Sequence, residues 1–280
     1  MISVVAMLPG WSLALIAFGF GIIIGSFLNV VIYRFHTGKS IRGSSHCLSC
    51  QTDLRWYELL PIISYVALRG RCNTCSARIP SRYLWVELCT GILFVLVVMT
   101  TSLWYWLLGF FLVSLLVVVA VYDVYHMVIP TLLITELWVV AILFTLLDYW
   151  FSGDSKQILM SIAAALLSYG FFALLWYVSK GRWIGYGDAK LAAPLGFLVG
   201  LAGAFSMIVL SFWVGTIISL SLIWIQTIRQ KRGQSTLRFY REPLTIKSEV
   251  PFAPFLIIAF ILVYFLTVDV LNLITYVLPM

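Results

Sequence analysis

Residues 104–122 read WYWLLGFFLVSLLVVVAVY, and the next residue is Asp123. Wound as a helix at about 1.5 Å per residue, this uncharged run rises about 28 Å, close to the ~30 Å hydrocarbon core of a bilayer. Similar runs fall near 11–33, 84–102, 128–150, 157–179, 189–204, 206–228 and 252–278. The sixth in chain order, 189–204, is short and rich in Gly and Ala. Across the 280 residues, 62 % are apolar and only 10 % are charged. A soluble domain holds roughly 45–50 % apolar residues and about 25 % charged ones, so no soluble core could bury this excess. The expected fold is therefore an all-α polytopic integral membrane protein of about eight transmembrane helices, in which lipid solvates the apolar surface.

The net charge of +7 does not call for nucleic acid, because basic residues of membrane proteins collect in cytoplasmic loops. Of the 18 Lys and Arg, all but Lys156 lie in 34–83, 180–190 or 229–251. Eight helices put these three loops on one side, the cytoplasm, and both termini outside. The first charged residue is Arg34, so the first run reads as a retained anchor rather than a cleaved signal. Three regions follow: the first helix (1–33), a cytoplasmic loop (34–83) and a helical core (84–280).

The loop holds two C-x2-C pairs, Cys47/Cys50 and Cys72/Cys75, with 21 residues between them. Such pairs can place four thiolates around one structural zinc, can stay reduced without metal, or can form two disulfides. A reducing cytoplasm favours the first, and a loop with so little core needs a staple. Cys89 reads as a small apolar side chain inside a helix.

Acids at apolar runs are Glu87, Asp123, Glu136, Asp188 and Asp269. Such groups are costly in hydrocarbon and point to function by default. Asp123 and Asp188 both fall at cytoplasmic helix ends, beside backbone breakers. Pro130 disfavours helix at Ile129, and Gly185 and Gly187 in GYGD allow open backbone near a ligand. Two carboxylates side by side share a proton, so one can activate water while the other protonates a leaving amine. Against this stands a plain reading in which each Asp sits hydrated at the headgroups. An ion-coupled transporter would also use intramembrane acids, but its site belongs near the midplane. A zinc-bearing scaffold is a further alternative.

The motifs narrow the choice. GSFLNVVIYR (25–34), SHCLSC (45–50), LRWYELLPIISYVALRGRCNTC (54–75), RYLWVELCTGILF (82–94), AVYDVYHMVIP (120–130), KGRWIGYGDAKL (180–191) and VPFAPFL (250–256) follow one another. In this order they resemble the type 4 prepilin peptidases, a family of bacterial aspartic membrane proteases. The resemblance implies removal of the basic leader from type IV prepilins or type II secretion pseudopilins, at the cytoplasmic face of the inner membrane. It implies Asp123 and Asp188 as the catalytic pair, supported by Gly185, Gly187 and Pro130. It also implies N-methylation of the new terminus by S-adenosylmethionine, an activity tied to the cysteine-bearing loop. A peptidase without methyl transfer is the alternative.

Thr131 departs from the family pattern, where an acidic residue or Asn commonly follows the proline. No G-x-G-x-x-G loop marks a methyl-donor site. Glu87 is the candidate for that chemistry; the competing reading is a buried acid paired with a loop arginine. Asn29 reads as helix packing or function, Lys190 as a topology anchor and His126 as an interfacial polar residue. Glu136 and Asp269 receive no role.

Overall fold

Membrane-length apolar runs become helices because lipid offers backbone groups no partner, and each helix satisfies its own. The computed structural model describes residues 9–35, 43–231, 250–270 and 272. Its helices are α1 (Gly10–Arg34), α2 (Ile63–Ala67), α3 (Arg82–Thr100), α4 (Trp106–His126), α5 (Thr131–Ser152), α6 (Ser155–Ser179), α7 (Tyr186–Lys231) and α8 (Ala253–Tyr264). Six are long and apolar enough to cross a membrane. Among the described residues there is no strand, only two isolated antiparallel bridges in the cysteine loop.

The expected runs 189–204 and 206–228 both lie on α7, which breaks at Gly200 (φ 72, ψ 178). Those dihedrals belong to a region only glycine enters readily. The run 252–278 yields a shorter helix than expected: α8 ends at Tyr264, and Thr267 is left-handed (φ 51). Residues 273–280 lie outside the described part, as do 36–42 and 232–249 of the two larger basic loops.

The chain forms two compact units, Met1–Val118 and Val119–Met280. In the first, α1 packs on α3 through glycines. A Cβ on Gly21 would lie 2.7 Å from Gly91 Cα, and one on Gly25 would lie 2.8 Å from Glu87 Cα. Small residues four apart let two backbones touch, the usual device where no hydrophobic effect drives helices together. Phe94 and Phe110 stack at 4.4 Å beside this seam.

In the second unit, α7 packs against α5, α6 and α8. Gly196 admits Ser168 and the Ala164 carbonyl, which a Cβ there would meet at 2.9 Å. A tight turn joins α5 to α6: Gly153 takes the left-handed conformation (φ 67), and Asp154 caps α6 by accepting from the Lys156 amide at 2.9 Å. Fully buried Leu137, Phe144, Phe172, Leu191, Leu195, Met207, Leu256 and Phe260 fill the core of this unit.

Candidate active site and metal centre

Asp123 lies in the last turn of α4. That helix stops three residues later, where Met127 turns left-handed (φ 51) and Pro130 caps α5. The break expected from Pro130 is therefore present. Asp188 lies in the first turn of α7, which starts just after Gly185. Asp123 is 5 % exposed and Asp188 7 %. Both line one cavity of about 1120 Å³, and the two carboxyl groups are near enough to interact electrostatically.

A backbone group completes the pair. Asp123 Oδ2 accepts a hydrogen bond from the Ala253 amide at 3.2 Å. Ala253 opens α8, so the carboxyl group faces the positive end of a helix. Gly185 serves by close approach rather than by unusual dihedrals: a Cβ there would sit 3.3 Å from Asp188 Oδ2. A Cβ on Gly187 would meet Ile129 at ordinary distances of 3.4–3.5 Å. Arg182 also lines the cavity, as do Phe171, Phe212 and Phe255.

The other polar residues divide plainly. Lys190 Nζ lies 4.9 Å from the centre of the Tyr186 ring, and Tyr186 shares a 2.8 Å hydroxyl hydrogen bond with Tyr169. His126 is exposed and packs on Tyr122 at 4.4 Å. Asp269 accepts from Ser206 Oγ at 2.8 Å and so fastens the chain beyond α8. Glu136 is half-buried on α5.

The four loop cysteines converge. Their sulfur atoms all lie within 4.8 Å of one another, and Cys47 and Cys75 are 3.8 Å apart. Four ligands at about 2.3 Å around a tetrahedral ion are about 3.8 Å apart, so the set fits a zinc-sized cation. Among the described residues none of the five cysteines is in a disulfide. The two halves are alike, although the sequence suggests no repeat. Cys47 N donates to Thr52 O at 3.0 Å, and Cys72 N to Ala77 O at 2.9 Å. Gln51 (φ 59) and Ser76 (φ 58) are both left-handed. Each half closes with an antiparallel bridge, His46 to Asp53 and Arg71 to Arg78. Hydrogen bonds from the Thr52 side chain and amide hold the Cys50 thiol down at about 6. At Cys75 the Ala77 amide pulls the other way, but burial and the neighbouring thiols carry the group up to about 11.

Glu87 corrects an expectation. Among the described residues it binds no loop arginine. Its Oε2 accepts from the Ile62 amide at 2.7 Å, and Ser26 hydrogen-bonds it from α1. Ile62 itself has φ 60 and ψ −52, and the Ile63 amide turns back to the Pro61 carbonyl. This is a three-residue γ-turn with positive φ on a β-branched residue, a costly conformation. Glu87 thus pins the loop to α3.

Known proteins can now be set beside this geometry. Residues 20–101 match the family model described as bacterial peptidase A24 N-terminal domain, and residues 110–220 match the type IV leader peptidase family. A prepilin leader peptidase/N-methyltransferase from Aeromonas hydrophila is 30 % identical over 276 residues, covering 89 % of each chain. This chain belongs to the type IV leader peptidase family. Relatives of the same printed name include one from Bacillus subtilis, 34 % identical over 203 residues (70 % of this chain, 78 % of that one). Another, from Myxococcus xanthus, is 33 % identical over 225 residues (77 % of this chain, 66 % of that one). No solved structure matches the chain.

Within this leader peptidase the sequence reading missed the Ala253 amide. VPFAPFL carried only the resemblance, yet Pro254 at the start of a helix signals an N-terminus whose free amides must find acceptors. It also missed Gly21 and Gly25, a four-residue spacing of small residues inside an apolar run.

Proposed function

We propose that this membrane protein cleaves the basic leader from type IV prepilins or type II secretion pseudopilins with Asp123 and Asp188, then N-methylates the new terminus. The observation that carries the peptidase reading is the convergence of two buried carboxyl groups, distant in sequence, on one cavity. One carboxyl group, ionised, takes a proton from water as its oxygen attacks the scissile carbonyl. The other, protonated, hydrogen-bonds the carbonyl oxygen and delivers its proton to the leaving amine. The Ala253 amide holds Asp123, and the bare Gly185 lets backbone lie against Asp188. The lining phenylalanines suit an apolar substrate segment, and Arg182 adds a positive charge to the same lining.

The methyl donor in this reading is S-adenosylmethionine, and the loop ion is zinc. Cys47, Cys50, Cys72 and Cys75 would fill every coordination position of that ion, which leaves it a structural role. In this reading the basic loops lie in the cytoplasm, which supports a site at the cytoplasmic face of a bacterial inner membrane and both termini outside. Partners are the prepilins and the bilayer.

The test replaces each aspartate by its amide. Asp123→Asn and Asp188→Asn keep size and hydrogen bonding but cannot cycle a proton. Each should abolish cleavage of a prepilin in proteoliposomes while insertion and metal content persist. Near-normal cleavage by either variant would exclude the two-carboxylate mechanism.

A further inference from the structure

The link between the two cysteine pairs, residues 51–71, shows an inverted pattern of burial. Its large apolar side chains face outward: Trp56 is 76 % exposed, Ile63 63 % and Val66 64 %, and Leu59 and Leu60 are exposed as well. Glu58, Ser64 and Tyr65, in the same stretch, are half-buried. A loop surrounded by water favours the opposite arrangement, and large apolar side chains clustered on the outside mark a surface that meets something other than water. We propose that this link is a membrane seat. It lies in the interface of the bilayer that α3 crosses, its apolar side chains among the acyl chains and its arginines on anionic phospholipid headgroups.

Depth supports the seat first. α3 has 19 residues and rises about 28 Å, so it needs nearly its whole length to cross the ~30 Å of hydrocarbon. Its start at Arg82 therefore lies at the membrane boundary, and the exposed Trp85 in its first turn is the residue type that gathers at that level. Glu87 comes five residues after Arg82, about 7.5 Å further along the axis. The Ile62 amide donates to its carboxylate at 2.7 Å, so the middle of the link is drawn down to the first turns of α3. Interfacial segments sink their apolar face roughly 5–10 Å into the boundary between headgroups and acyl chains, the depth this bond sets.

Charge agrees with depth. Arg55 precedes the apolar run, Arg69 and Arg71 follow it, and Glu58 is the only acid in 54–71. Glu58 Oε2 accepts from the Arg55 amide at 2.7 Å, while all three arginines are exposed. Cations at both ends of an apolar run suit lipid phosphates, which guanidinium groups bind in bidentate fashion. Lipid is already the solvent at this depth, and a docked protein would have to displace it. The seat also fixes the height of the metal centre, because Cys50 lies six residues before Trp56 and Cys72 directly follows Arg71.

The experiment places the full chain in nanodiscs of phosphatidylglycerol and phosphatidylcholine that carry a tracer lipid with a diazirine on its acyl chain. Photoadducts are mapped by mass spectrometry. Peptides within 56–67 should carry adducts at a yield comparable to the peptide containing Trp85. Ile63→Glu combined with Val66→Glu should lower the yield in 56–67 about tenfold and spare the Trp85 peptide, since two aliphatic groups held in lipid become carboxylates. Neither side chain packs inside the protein, so the melting temperature in detergent should stay at the wild-type value and checks the fold. In discs of phosphatidylcholine alone the yield in 56–67 should fall, because the arginines lose their anionic partners. No adduct in 56–67 of the wild type, whatever appears at Trp85, would overturn the seat, as would undiminished adducts in the folded double variant. A diazirine-bearing prepilin that labels 56–67 in place of lipid would overturn it in favour of a protein-docking surface. Equal yields in the two kinds of disc would overturn the part given to the arginines.

Discussion

Removing the Glu87 carboxylate should release the middle of the cysteine loop. Ile62 sits at φ 60, ψ −52, and backbone strain of this kind costs of order 1–3 kcal/mol. What opposes it is the 2.7 Å hydrogen bond from the Ile62 amide to Glu87 Oε2, in a setting where a bond to a charged acceptor is worth about 1.5–3 kcal/mol. The two terms nearly cancel, so the turn stays formed only while the acceptor is there. In Glu87→Ala the strain is unopposed and the turn should open. At 1.36 kcal/mol per decade, amide exchange at Ile62 should speed up about 10- to 150-fold. Glu87→Gln keeps an acceptor of roughly half the strength and should fall between. Adding Ile62→Gly to Glu87→Ala removes the strain, so protection of the Ile63 amide, which closes the turn on Pro61, should recover while the amide at 62 stays fast. Hydrogen–deuterium exchange on peptides spanning 60–67, in detergent or nanodiscs, reads all four proteins. Wild-type exchange in Glu87→Ala would refute the idea that this acid pins the loop.

Other outcomes can be checked alongside. The pH profile of cleavage should be bell-shaped, its two limbs belonging to the aspartate pair jointly; a single-limbed profile would count against a shared proton. Gly185→Ala should slow cleavage more than Gly187→Ala, because its Cβ meets Asp188 Oδ2 at 3.3 Å whereas the other meets Ile129 at ordinary distance; the reverse ranking in kcat would refute this. In chelator-treated protein at pH 7, iodoacetamide should alkylate Cys50, held near 6, well before Cys75, near 11, since the thiolate is the nucleophile; mass spectrometry showing Cys75 first would contradict it. The lowered Cys50 thiol stabilises the metal-free loop above the ordinary cysteine value of 9.0, and this support is lost as pH falls through about 6, whereas the raised Cys75 thiol acts in the opposite sense at high pH. Replacing Cys47 and Cys72 together should remove about one zinc per chain and lower methylation more than cleavage; stoichiometric zinc in that variant would show other ligands. Reporter fusions at residues 60 and 153 should report opposite sides of the membrane; the same side for both would overturn the topology.

What could be read in advance was whatever leaves a trace in side-chain chemistry. Uncharged runs of bilayer length predict helices because hydrocarbon admits little else, and the runs 11–33, 84–102 and 157–179 correspond within a few residues to the helices Gly10–Arg34, Arg82–Thr100 and Ser155–Ser179. Asp123 and Asp188 stand out because an acid at an apolar helix end is rare, and Cys47, Cys50, Cys72 and Cys75 because their spacing suits a tetrahedral ion. The rest depends on backbone. The Ala253 amide has no side-chain signature, so its bond to Asp123 could come only from coordinates. Glu87 looked ready for an arginine because pairing with opposite charge is the common fate of a buried acid, yet a strained amide reached it first. The similarity of the two cysteine halves rests on Gln51 and Ser76 turning left-handed, a conformation neither residue type announces.

The break at Gly200 bears on where a protease embedded in lipid keeps one of its aspartates. Unbroken, the 46 residues of α7 would rise about 69 Å, more than twice the ~30 Å of hydrocarbon, and the break at Gly200 divides that length in two. The segment before it, Tyr186 to Val199, then rises only about 21 Å. That is below the ~30 Å of hydrocarbon, and a stretch shorter than the bilayer is accommodated by thinning of the lipid or by snorkelling of flanking residues. With Asp188 in its first turn, the short segment keeps one aspartate close to its polar end.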